Sequence, residues 1–95
     1  MKILIDADAS PVQKETIAVA KRFAIHVVIV KSYAHFSTEI LPDYVEVFYV
    51  DSDKEAADLA IFQRATKNDI VITQDYGLAS LLLRKGCHVI HHKGF

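Results

Sequence analysis

Proline and glycine are scarce here, with two prolines and three glycines in 95 residues. That scarcity excludes a flexible linker or low-complexity chain and fits a compact domain. A single cysteine, Cys87, excludes any intramolecular disulfide and gives no sign of an oxidising compartment. Net charge is nearly absent: Lys+Arg 11 against Asp+Glu 12 leaves -1, which excludes gripping nucleic acid by bulk positive charge though not by a local patch. Long apolar runs are missing too. The opening stretch up to Asp6 is far too short for a signal peptide or a membrane span, so a cytoplasmic protein without membrane association is expected.

What is present is a 52% hydrophobic composition, enough for one packed core in a chain of this length. Ile- and Val-rich runs at residues 3–5, 27–30, 45–50, 70–72 and 89–90 read as strands, the tightest of them buried on both faces. Between them the pattern is helical. Ser10 suits an N-cap and Pro11 the first helical position, followed by Val12, Thr16, Val19, Ala20 and Phe23 at spacings of three and four. Residues 53–65 form a second helix with Ala56, Leu59, Ala60 and Gln63 on one side. Residues 77–84 form a third, with Leu78, Leu81 and Leu82 inward and Gly86 as its stop. Residues 31–44, with Pro42 and several aromatics, are consistent with a loop or a short helix. This alternation predicts a three-layer α/β domain with a mostly parallel five-stranded sheet, order 3-2-1-4-5. Ligands of such sheets sit beyond the carboxyl ends of the strands, where the order reverses.

That edge is acidic. Asp6 ends the first strand and Asp8 lies just beyond it; Asp75 follows the fourth strand through Thr73 and Gln74. Asp58, about one turn into the second helix, shares a face with Ile61, Phe62 and Ala65, which is unusual for a residue meant only for solvent. Crowded carboxylates repel one another, and a hard oxygen-seeking cation, Mg²⁺ or Mn²⁺, relieves that repulsion. Such an ion activates water and stabilises charge on a phosphate. Helix capping accounts equally well for Asp8 and Asp53, each taken alone. Asp6 and Asp75 are harder to explain that way, because both follow buried strands.

The stretches 6–12 (DADASPV), 69–79 (DIVITQDYGLA) and 55–58 (EAAD) together resemble the motifs of the YaiI/YqxD family, also called UPF0178. That family is grouped with PIN-like domains, Rossmann-like folds with acidic metal-dependent nuclease sites. The resemblance implies that Asp6, Asp58 and Asp75 hold Mg²⁺ or Mn²⁺, with Asp8 close by and Thr73 supporting Asp75, and that RNA is the substrate. It equally allows a non-catalytic module of the same fold that binds RNA or a protein. Ser10 stands where the family usually has Cys, so thiol chemistry there is excluded. Family members usually continue for several tens of residues with a further helix and basic residues, so residues 1–95 are expected to be a single domain without that extension.

Other motifs carry less. Residues 6–10 approximate the D-x-D loop of haloacid-dehalogenase-type phosphatases, but the later acidic pair is missing and the last strand ends in His91 and His92. No Gly-x-Ser-x-Gly elbow surrounds Ser10. His88, His91 and His92 have no second ligand pair at zinc spacing. The segment from Lys31 to Phe36 mixes a cation with aromatics, which suits stacking on unpaired bases, a core edge or a homodimer contact. Cys87 reads as a small core residue.

Overall fold

The computed structural model describes residues 1–7 and 13–91. Asp8, Ser10, Pro11, Val12 and His92 lie outside the described residues. The chain runs β1 (Lys2–Asp6), α1 (Gln13–Arg22), β2 (His26–Ser32), a 3₁₀ turn (Tyr33–His35), β3 (Val45–Val50), α2 (Lys54–Arg64), β4 (Ile70–Ile72), α3 (Tyr76–Lys85) and β5 (His88–Ile90). The strands form one sheet in the order β3-β2-β1-β4-β5, and every pairing is parallel. Segment 31–44 thus resolves into the end of β2, one 3₁₀ turn and irregular backbone.

Side chains alternate across the pleat and build two cores. Leu4, Val28, Val30, Val50 and Val71 point to the side covered by α2 and α3, where Ala57, Ala60, Ile61, Leu78 and Leu82 meet them. Ile3, Ile5, Val27, Ile29 and Ile72 point to the other side, against Ala20 and Ile17 of α1. Both faces of the central strands are covered, which is why their runs are continuously apolar rather than alternating.

Three helix faces differ from the sequence expectation. On α1, Thr16 and Ala20 are buried but Val19 is exposed, as is Phe23 just past the helix end. On α2 the inward residues are Ala57, Ala60 and Ile61, whereas Leu59 and Gln63 face solvent. On α3, Ala79 takes the buried position expected of Leu81. In each case a small residue (Ala20, Ala57 and Ala60, or Ala79) takes an inward position, and a larger apolar residue (Val19, Leu59 or Leu81) is left on the flank.

The chain turns are chemically specified. Asp53 caps α2 by accepting the Glu55 N–H at 2.9 Å. Gly86 ends α3 in the left-handed conformation, φ 93°, as its sequence position predicts. At the amino edge of the sheet, buried Asp69 accepts hydrogen bonds from the Lys2 N–H (3.0 Å), Lys2 Nζ (2.7 Å), Thr66 N–H (2.8 Å) and Thr66 Oγ1 (2.9 Å). Burial alone would push its carboxyl up. The hydrogen bonds from Lys2 and Thr66 outweigh that and hold it at about 2. Cys87, close by, is a buried core residue whose Sγ lies 3.4 Å from the Thr66 carbonyl oxygen. Among the described residues, no helix is long and apolar enough to cross a membrane.

Candidate functional site

Register builds the carboxyl edge. Ile5 of β1 pairs with Ile72 of β4, so Asp6 comes level with Thr73, the first residue past β4. Thr73 is fully buried, and its backbone N–H is fixed on the Ile90 carbonyl at 3.2 Å. Its hydroxyl donates to Asp6 Oδ2 at 3.1 Å and accepts the Asp75 N–H at 3.1 Å. One side chain therefore ties two strand ends together. Sequence reasoning expected Thr73 to orient Asp75; it does so through the backbone, and it holds the Asp6 carboxylate as well.

Contrary to the sequence expectation that capping does not account for it, Asp75 is the N-cap of α3, because the helix starts at Tyr76 and Asp75 Oδ1 accepts the Leu78 N–H at 2.9 Å. A Cβ on Gly77 would stand 3.2 Å from that same oxygen, tighter than ordinary contact, so the glycine leaves room for the carboxylate. Asp58 is half-buried on α2. A cleft of about 480 Å³ opens between these elements, lined by Asp6, Asp58 and Asp75 together with Ser32, His35, Ser52, Asp53 and Gln74. Asp6 is buried, and Asp75 is half-buried. Three of the four expected aspartates thus share one concavity at the switch point, and the fourth, Asp8, lies outside the described residues.

Sharing a cleft is not the same as converging. Among the described residues, no three His, Cys, Asp or Glu side chains stand close enough to hold a metal ion. His88 is exposed on β5, and His91 stacks on Tyr76 with ring centroids 5.8 Å apart.

Sequence reasoning missed Ser32 and His35. Ser32 ends β2 and is buried, with its Oγ 3.0 Å from His35 Nδ1, and both residues line the cleft. The strand-end rule that singled out Asp6 and Asp75 would have found Ser32 had it been applied to β2.

Residues 4–95 match the family described as "Uncharacterized BCR, YaiI/YqxD family". A UPF0178 protein of Bacillus anthracis is 53% identical over 95 residues, an alignment covering all of this chain and 65% of the relative. UPF0178 proteins of Oceanobacillus iheyensis and Bacillus cereus are 52% and 54% identical with the same coverage. The chain therefore spans about two thirds of the length of these relatives. No solved structure matches it. On the strength of a match that runs through both strand-end aspartates and the length of the sheet, the chain belongs to the YaiI/YqxD (UPF0178) family.

Proposed function

We propose that this domain is a metal-dependent nuclease that hydrolyses phosphodiester bonds, RNA being the substrate, in the cleft at the carboxyl edge of its sheet. The observation that carries the reading is the Thr73 bridge, which fixes Asp6 and the start of the Asp75 cap side by side on neighbouring strands. Pinned carboxylates in a concave site at the sheet's switch point are the arrangement expected of a site for hard cations and phosphates.

The donor chemistry suits Mg²⁺ or Mn²⁺, although the described side chains do not stand close enough to bind an ion as three direct ligands. Asp6, Asp58 and Asp75 supply hard carboxylate oxygens, and the cleft has room for a hydrated ion. These three would hold a hydrated ion in part through its waters, with Asp8 assisting. When bound, the ion lowers the pKa of a water and offsets the charge that builds up on the phosphate. The chain's own residues do the positioning. Thr73 holds Asp6, the Leu78 N–H holds one oxygen of Asp75, and the Ser32–His35 pair lines the same cleft.

One observation favours a second reading, a non-catalytic RNA- or protein-binding module. Asp75 already serves as a helix cap, and Asp6 already accepts the Thr73 hydroxyl, so structure alone gives both a role. Thermal denaturation with and without millimolar Mn²⁺, paired with cleavage of a labelled oligoribonucleotide, separates the two. A nuclease site is stabilised by the ion, by about 2.7 kcal/mol at one hundred times Kd, and cleaves only with it. No shift and no cleavage would leave the binding module standing.

A further inference from the structure

The turn after β2 has two sides. Ser32, Ala34 and His35 line the acidic cleft. Tyr33 and Phe36 pack instead on Tyr49 of β3: Tyr33 stacks on it with centroids 5.7 Å apart and planes 15° apart, and Phe36 lies tilted against it at 5.3 Å and 39°. Tyr49 is anchored from below, its hydroxyl donating to the Ser37 carbonyl at 3.4 Å. Yet Tyr33 stays 60% exposed and Phe36 62%. Lys31, two residues before the turn, lines a small hollow with Tyr49 and Glu39, and among the described residues it forms no ion pair.

From this arrangement we infer that Tyr33 and Phe36, held on Tyr49, are a stacking platform for unpaired nucleobases of a single strand whose backbone enters the cleft on the other side of the turn. The inference rests on the proposed nuclease reading for the strand's path and adds to it the binding site and the requirement for unpaired bases. Size argues for a base over a protein surface. The two rings leave roughly 250 Å² in water, well under the ~800 Å² that each partner of a stable protein interface buries. Flat rings with free area are what a base covers, and every base presents a π-face to them. A single turn of backbone separates the platform from the cleft, so adjoining nucleotides of one strand reach both.

The test is binding without turnover. A fluorescein-labelled 12-nucleotide oligouridylate is titrated with the protein in Ca²⁺, and a duplex RNA of equal length serves as control. The chain has no tryptophan and four tyrosines, so quenching of tyrosine emission reports stacking directly. The single strand should bind and quench, and the duplex should bind at least tenfold more weakly. Tyr33→Ala and Phe36→Ala should each weaken single-strand binding by roughly tenfold, Tyr33→Ala also removing most of the quench, while Tyr33→Phe keeps the affinity. Circular dichroism melts confirm that the variants are folded. Equal binding of duplex and single strand, no binding by the parent chain, or unchanged affinity in folded Tyr33→Ala and Phe36→Ala variants overturns the platform. Binding with quenching but no cleavage in Mn²⁺ would instead overturn the nuclease reading and leave the platform in place. Cleavage with platform variants of unchanged KM would do the reverse.

Discussion

Thr73 Oγ1 donates to Asp6 Oδ2 across the β1–β4 boundary at 3.1 Å, from a position with no solvent exposure. Because the same oxygen accepts the Asp75 N–H, deleting it removes a donor to Asp6 and an acceptor for Asp75 at once. Thr73→Val, nearly equal in shape, should destabilise the domain by about 1–3 kcal/mol. It should also lower Mn²⁺-dependent cleavage at least tenfold, and Thr73→Ser should restore most of both. Urea denaturation and the cleavage assay check this; a Val variant that loses stability but keeps full cleavage would confine Thr73 to a structural role.

The aspartates can be separated from their structural duties by amide substitution. Asparagine still accepts a hydrogen bond and still caps a helix. Asp75→Asn and Asp6→Asn should therefore melt at or above the parent temperature without metal, since like charges have been removed from one cleft. Both should lose the stabilisation by Mn²⁺. If both variants instead melt lower in EDTA, hydrogen bonding and not charge crowding dominates these positions.

Asp69 makes stability depend on acid in a defined window. Its carboxyl lies at about 2 in the folded protein against an ordinary 3.8. A folded value below the unfolded one means that the contribution is complete above about pH 4 and is lost as pH falls towards 2. The difference is worth about 2 kcal/mol. Denaturation curves should show that contribution fading across this window, with a flatter response in Asp69→Asn, which should also be less stable at pH 7. An unchanged slope in the variant would show that other carboxylates govern the acid limb.

Gly86 tests the α3 stop. At φ 93° an added Cβ is strained and would meet Lys67 Cγ at 2.9 Å, although that side chain can move. Gly86→Ala should cost about 1–2 kcal/mol, and Gly86→Asn less, since asparagine tolerates this conformation. Equal losses for the two would point to steric conflict with Lys67 in place of backbone strain.

Much of this molecule is written locally. The order of strands and helices, the all-apolar central strands and the Gly86 stop follow from residue type and spacing, because each depends on neighbours a few positions away. The strand-end positions of Asp6 and Asp75 were legible for the same reason. The inward stripe of α2 was not: Leu59 looks like the better core residue, but the helix turns its alanines inward, and only the distance to the sheet decides that. Likewise no spacing in the sequence joins Thr73 to Asp6, 67 residues apart, or brings Ser32 and His35 into one cleft with Asp58. The sequence by itself thus determined the elements and the acidic character of one edge. Tertiary structure decided which side chains meet there, because parallel register, a long-range property set by the packing of whole strands, brings residues from different segments level with one another.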